Sequence, residues 1–177
     1  MQLNDPGDTF ESESSPTASI TKGGLSMGPV IGQGSFGVVH VAKYYSKLVA
    51  VKKILIKGKD EHADEHFNRE LNVLKAAKHP NLLKYIGTYG EMEWDKHDET
   101  QCSKLYIVTE LCPGGNFLDL LINHKIELSW PLRLRIARQA ADAIEFLHTN
   151  NLIHRDIKSS NLLLDDSWTC KVADFGM

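Results

Sequence analysis

The sequence predicts an α+β fold, in which a small antiparallel sheet carrying one helix is followed by a largely helical unit. Three observations predict it. Between Leu25 and Ile54, β-branched runs are broken by glycine and by a short turn at Tyr44 to Lys47, the layout of consecutive hairpin strands. Between Asp60 and Ala77, the apolar residues Ala63, Phe67, Leu71, Leu74 and Ala77 fall at helical spacing. Between Ser129 and Thr149, Leu132, Ile136, Ala140, Ala143 and Leu147 form the apolar stripe of a long helix.

Taken in order, residues 1–24 are rich in Ser, Thr, Asp, Glu, Gly and Pro and too poor in apolar residues to bury, so a disordered tail is expected. Residues 25–111 then form the first lobe. Its β-branched segments run through Met27 to Ile31, Gly32 to Val39, His40 to Lys43 and Leu48 to Ile54, with Pro29 tolerated on an edge strand. His79-Pro80 ends the helix, because proline cannot continue its ladder. A strand is expected at Asn81 to Ile86, and Gly87 to Ser103, with Glu91, Glu93, Asp95, Asp98 and Glu99, reads as an acidic, mobile loop. Leu105 to Val108 is a buried strand running into the linker Thr109-Glu110-Leu111-Cys112-Pro113-Gly114-Gly115, the best lobe boundary.

Residues 112–177 form the second unit. Asn116 to His124 reads as a short helix, and Ser129 caps the long one with Pro131 in its first turn. Leu134, Ala137, Ala141 and Phe146 widen that helix's apolar face, which predicts packing on more than one side or association through the surface left uncovered. Asn161 to Asp166 and Cys170 to Ala173 read as two short strands joined by a turn, with Asn161 and Asp174 at the ends of the hairpin.

Composition narrows the function. A net charge of −3 without a basic run speaks against nucleic acid as a partner. No apolar stretch approaches membrane-spanning length, and the amino terminus has neither a signal-peptide layout nor a myristoylation glycine, so a cytoplasmic location is expected, with the nucleus as the second choice. The three cysteines, Cys102, Cys112 and Cys170, lack metal-like pairing and read as free thiols.

Three motifs carry chemistry. Gly32-Gln33-Gly34-Ser35-Phe36-Gly37 has the spacing of a phosphate-binding glycine loop, which in a dinucleotide fold must open a helix. Here Val38-Val39-His40-Val41 has strand character, which favours a hairpin whose glycines let the backbone approach phosphates. Lys52 follows in Val49-Ala50-Val51-Lys52, and Glu70 falls on the inward side of the helix, where a carboxylate needs a cationic partner such as Lys52. His154-Arg155-Asp156-Ile157-Lys158-Ser159-Ser160-Asn161 and, thirteen residues on, Asp174-Phe175-Gly176 supply the third set. Phosphoryl transfer needs oxygens that hold a divalent metal and one that orients the attacking hydroxyl, and Asp156, Asn161 and Asp174 provide them. Taken singly, Asp165, Asp166 and Asp174 would pass for turn acids and His154 for a core histidine.

These motifs together resemble the catalytic domain of the eukaryotic protein kinases, over about Leu25 to Met177. The wording around Asp156 and Lys158, and Thr109 to Asn116, is most similar to the tyrosine-kinase-like group, whose members mostly phosphorylate Ser and Thr. The resemblance implies a small antiparallel-sheet lobe with one regulatory helix and the first part of a helical lobe, ending just after the D-F-G triplet. It implies ATP and Mg²⁺ as cofactors and a protein Ser or Thr hydroxyl as acceptor. Asp156 would be the catalytic base, Lys158 would offset charge, and the Lys52–Glu70 ion pair would mark the active state. Asn161 and Asp174 would hold metal. Ile31, Gly32, Gly34, Gly37, Val39, Ala50, Lys52 and Leu163 would border the nucleotide, with Thr109 as a small gatekeeper and main-chain groups around Glu110 and Cys112 bonding adenine. A non-catalytic nucleotide-binding or interaction module is the alternative.

Overall fold

Alternation of side chains along the first half of the chain yields one five-stranded antiparallel sheet. Its strands are β1 (Leu25–Gly34), β2 (Gly37–Tyr44), β3 (Lys47–Lys57), β4 (Tyr85–Asp95) and β5 (Thr100–Glu110), in the spatial order β1-β2-β3-β5-β4. The structure, a computed structural model, describes residues 20–34, 37–57, 71–72, 74–95, 100–123 and 127–174. Because successive side chains point to opposite faces, the sheet has two different surfaces. Val39, Ala50, Lys52, Ile107 and Thr109 line a cavity on one side. Ala42, Val49, Val51, Tyr106 and Val108 are buried on the other in a small core of their own.

Ile20 closes that outer core. It is 5% exposed, and its amide donates to the Thr88 carbonyl at 3.1 Å. The chain then makes a single 3-10 turn at Lys22–Gly24, and the Gly24 carbonyl accepts the Tyr45 N–H at 2.7 Å. The tail expected over residues 1–24 is therefore corrected from Ile20 onward, which is part of the fold. One isolated isoleucine has no periodicity, so nothing in the local sequence marked it for burial; residues 1–19 lie outside the described residues. In β1 the register with β2 skips Gly28 and Pro29, which accommodates a residue without an N–H to donate.

A second correction concerns residues 87–103. The acidic loop expected there is instead the pair of arms of the β4–β5 hairpin, in register from Tyr85 opposite Thr109 to Asp95 opposite Thr100. Glu91, Glu93 and Asp95 recur at every second position, a strand period that acidic composition conceals, and Glu91 stands across from Lys104. Asp98 and Glu99 lie outside the described residues. The strand expected from Asn81 starts only at Tyr85, because Leu82 bridges to Val172 in the second unit instead. Residues 71–72 and 74–76 are helical, with Leu71, Leu74 and Ala77 buried as the helical spacing predicts; Ala63 and Phe67 lie outside the described residues.

The second unit contains β6 (Gly115–Asn116), helix α1 (Phe117–Ile122), helix α2 (Trp130–Thr149), β7 (Leu162–Leu164) and β8 (Cys170–Val172), the strands forming a sheet in the order β6-β7-β8. Asn116 caps α1, its side-chain oxygen accepting the Asp119 N–H at 2.9 Å. Ser129 occupies the cap position of α2 without a side-chain cap bond, so the proline at the start of the helix is the effective start signal. Helix α2 buries Ile136, Ala140, Ala143 and Leu147, the expected stripe. Leu134, Ala137 and Ala141, expected to widen the buried face, are exposed, as is Trp130. One apolar core runs from Leu71, Leu74 and Ile107 through Leu82 to Ile136, Leu147, Leu164 and Val172, and so joins the two units. Among the described residues, no helix is long and apolar enough to cross a membrane.

Ile20→Ala should lower unfolding free energy by about 2 kcal/mol or more, the usual result of emptying a buried aliphatic site, whereas Thr21→Ala, at an exposed neighbour, should stay within about 0.5 kcal/mol of the parent. Urea denaturation of the two variants measures the difference, and equal stabilities would show that Ile20 adds nothing to the outer core.

Candidate active site

The site is built on the β7–β8 hairpin. Its turn is closed by Asp165, whose Oδ1 accepts the Ser167 N–H at 2.9 Å and the Thr169 N–H at 2.8 Å, so Asp165 is a turn acid. At the open end, the Ala173 N–H donates to the Asn161 carbonyl at 2.9 Å, which sets the metal-type residues Asn161 and Asp174 side by side. The outer edge of β8 is paired at every main-chain group that faces it. The Cys170 N–H donates to Gln139 Oε1 at 2.9 Å, and the Cys170 carbonyl accepts Asn81 Nδ2 at 3.0 Å. The Val172 N–H donates to the Asn81 carbonyl at 2.8 Å, and its carbonyl accepts the Leu83 N–H at 2.9 Å.

The loop before this hairpin is tied to it by His154. Its Nε2 lies 3.0 Å from the Ala173 carbonyl, and its Nδ1 lies 3.3 Å from the Asp156 N–H. A carbonyl can only accept and an amide can only donate, so the pair assigns a neutral imidazole protonated at Nε2. Burial pushes the His154 pKa below its ordinary value, against the opposing effect of the Ala173 hydrogen bond. Asn161 Nδ2 donates to the Asp156 carbonyl at 2.9 Å and to Asp156 Oδ2 at 3.0 Å, while Lys158 Nζ sits 2.6 Å from the same oxygen. Hydrogen bonding from Lys158, with Asn161 assisting, holds the Asp156 carboxyl below its usual range, against a partial desolvation that raises it. Arg155 and Asp174 are held at φ of 69° and 56°, the left-handed region where non-glycine residues are strained.

Lys52 reaches this cluster from β3. Its Nζ lies 3.2 Å from Asp174 Oδ1, and its side chain is only 15% exposed. Between the two units lies a cavity of about 1060 Å³. Ile31, Gly32, Gly37, Val39 and Ala50 line it from the first sheet, and Leu163 from the second. Gly37 adopts a φ of 136° at the turn into β2, and a Cβ there would land on the Lys53 carbonyl oxygen. The glycine segment is thus a strand hairpin, as the sequence implies.

Thr109, Glu110 and Cys112 line the linker side. Glu110 exchanges two bonds with Lys84: its N–H donates to the Lys84 carbonyl at 3.0 Å, and its carboxylate accepts the Lys84 N–H at 2.9 Å. The same carboxylate oxygen lies 3.5 Å from Lys171 Nζ on β8. Burial, with Glu110 adding to it, pushes the Cys112 thiol up to about 12, so this cysteine is a neutral, weakly polar surface. Asp156, Lys158, Asn161 and Asp174 line the far end of the cavity, together with Lys52. Of the remaining expected site residues, Gly34 lies in β1 opposite Gly37, and Glu70 lies outside the described residues.

Asp119 and Ser160 also line the cavity and had no place among the expected site residues. Asp119 had a legible signal, an acid three residues after a helix-capping asparagine; Ser160 had none. Gln139 was missed as well, although a polar residue three positions after Ile136 and four before Ala143 interrupts an otherwise apolar face.

A family model described as protein tyrosine and serine/threonine kinase matches residues 25–177, and the chain belongs to that family. Among curated relatives, the chain is 37% identical over 155 residues to probable serine/threonine-protein kinase drkB of Dictyostelium discoideum, a match covering 86% of this chain and 21% of the relative. It is 36% identical over 173 residues to dual specificity protein kinase shkC of the same organism, covering 97% and 32% respectively. Probable serine/threonine-protein kinase SIS8 of Arabidopsis thaliana is 36% identical over 155 residues, covering 86% and 14%. The chain therefore spans less than a third of the length of each of these relatives.

The neutral His154 makes stability depend on pH. Below the ordinary imidazole pKa of about 6.5, the unfolded chain takes up a proton that the buried ring refuses, so stability falls as the pH drops through and below that value. His154→Phe should be less stable than the parent at pH 8, since it strands the Ala173 carbonyl and the Asp156 N–H, yet should lose less on moving to pH 5. Urea denaturation at the two pH values checks this; an unchanged acid sensitivity would place the linkage elsewhere.

Proposed function

We propose that this chain forms the nucleotide and metal site of an ATP-dependent protein kinase that transfers phosphate to serine and threonine hydroxyls. The observation that carries the reading is the meeting of Lys52 with Asp174, 122 positions apart, at 3.2 Å beside Asp156 and Asn161 at the end of a large cavity. The cavity offers an apolar slot for a flat base between Ile31, Val39 and Ala50 on one side and Leu163 on the other. The glycine hairpin lets main chain approach phosphates closely, and Lys52 supplies a cation for them.

The donor set suits Mg²⁺. Asn161 uses its Nδ2 on Asp156, which leaves its amide oxygen for a cation, and the Asp174 carboxylate faces the cavity with 44% exposure. Hard oxygens in small number, completed by substrate phosphates, are what this ion prefers. When bound between the Asn161 amide oxygen and the Asp174 carboxylate, the metal would supply positive charge to offset that of the phosphates. Asp156, a carboxylate held below its usual range, is a weak base; its part is to accept the hydrogen bond of an incoming hydroxyl and orient it. Lys158, 2.6 Å away, lies where it can offset charge on the transferred group. The wording of the Asp156 to Asn161 segment supports the tyrosine-kinase-like group and a Ser/Thr acceptor, in keeping with relatives named serine/threonine kinases and one named dual specificity.

Asp156→Asn should leave ATP affinity within about twofold while lowering phosphate transfer to a Ser- and Thr-containing peptide pool by about 100-fold or more. Lys52→Met should weaken ATP binding itself. Calorimetry with ATP and MgCl₂, paired with mass spectrometry of the peptides, separates the two effects. A parent chain that binds ATP and transfers nothing would leave the non-catalytic nucleotide-binding module as the better reading.

A further inference from the structure

Helix α2 carries one polar side chain whose placement the catalytic reading leaves unused. Gln139 lies between Ile136 and Ala143 on the buried stripe, half-buried itself, and its Oε1 accepts the Cys170 N–H at 2.9 Å. Cys170 is fully buried, so without this acceptor its N–H would face apolar surroundings. Asn81 and Leu83 satisfy the rest of the same edge. Strand β8 is only three residues long, and two residues after its end comes Asp174. A strand this short, with one partner strand in its sheet, is held in place by its edge bonds more than by its own ladder. Arg135, one turn earlier on α2, donates to the Trp168 carbonyl at 3.4 Å, so the helix grips both the turn and the strand of the hairpin.

We propose that Gln139 is a positioning residue for the metal end of the site: by accepting the Cys170 N–H it fixes β8 against α2 and thereby sets where the Asp174 carboxylate enters the cavity. This rests on the reading of Asp174 as a cation ligand. The amide orientation is unambiguous, because a main-chain N–H can face only the oxygen of the Gln139 side chain. Groups that hold metal ligands from behind typically change metal affinity about tenfold or more when removed. A group that merely filled space would change stability and leave the metal response alone.

The test measures ATP affinity of the full chain by calorimetry, in EDTA and in MgCl₂, for the parent, Gln139→Met, Gln139→Glu and Asp174→Asn, with amide exchange at Cys170 followed in each. Gln139→Met keeps the length and removes the acceptor; it should reduce the gain in ATP affinity on adding Mg²⁺ about tenfold, leave affinity in EDTA within twofold, and speed exchange at Cys170. Gln139→Glu keeps an acceptor oxygen and should restore both the Mg²⁺ response and the protection. If Gln139→Met fails to fold, Gln139→Ala takes its place with the same expectation. Equal loss in EDTA and in MgCl₂, or a Glu variant no better than the Met variant, would overturn the proposal while a lost response in Asp174→Asn upheld the metal reading. A full Mg²⁺ response in Asp174→Asn would overturn both.

Discussion

The far end of the cavity depends on one buried imidazole. His154 bonds forward to Ala173, the residue before Asp174, and back to the amide of Asp156. It therefore sets the distance between the Asp156 and Asp174 carboxylates, which both line the cavity. Asn161 repeats the connection by another route, its carbonyl on Ala173 and its amide on Asp156. With two independent ties, the strained backbone at Arg155 and Asp174 has no relaxed geometry to fall into. The ring can do this only while neutral, since a second ring proton would leave the Asp156 N–H without an acceptor.

The rest of the molecule brings two differently made surfaces to that end. The five-stranded sheet contributes its inner face, and because of strand alternation one run of residues, Val49 to Lys52, serves both the outer core and the cavity. The second unit contributes a short hairpin that is too small to stand alone. Its stability comes from α2, from residues 81–83 and from the shared core around Leu82, Leu164 and Val172. Segment 81–84 joins the two units, since it borders β8 on one side and the Glu110 linker on the other.

Most of the site was legible because its chemistry sits at short, fixed spacings: Asp156 to Asn161, the glycine hairpin, and the Asn161 to Asp174 pair that one turn brings together. The α2 stripe was legible for the same reason, since Ile136, Ala140, Ala143 and Leu147 repeat at the helical period. What escaped notice was set by partners distant in the chain. Ile20 is buried because Val49 and Tyr106 provide a socket, and Gln139 matters because Cys170 has an N–H to satisfy. Residues 87–103 were misread because a count of acids was given more weight than their alternation. Leu134 and Ala137 were misread because apolar residues at helical spacing show which faces could be buried and not which are.

Glu110 has a consequence for discrimination among nucleotide analogues. Its carboxylate is turned back to Lys84 and Lys171 and so is occupied within the protein. A planar group seated against this linker would find that carboxylate already engaged. At this rim the cavity lining includes Thr109, a small hydroxyl side chain, and Cys112, whose neutral thiol offers a soft, polarizable edge.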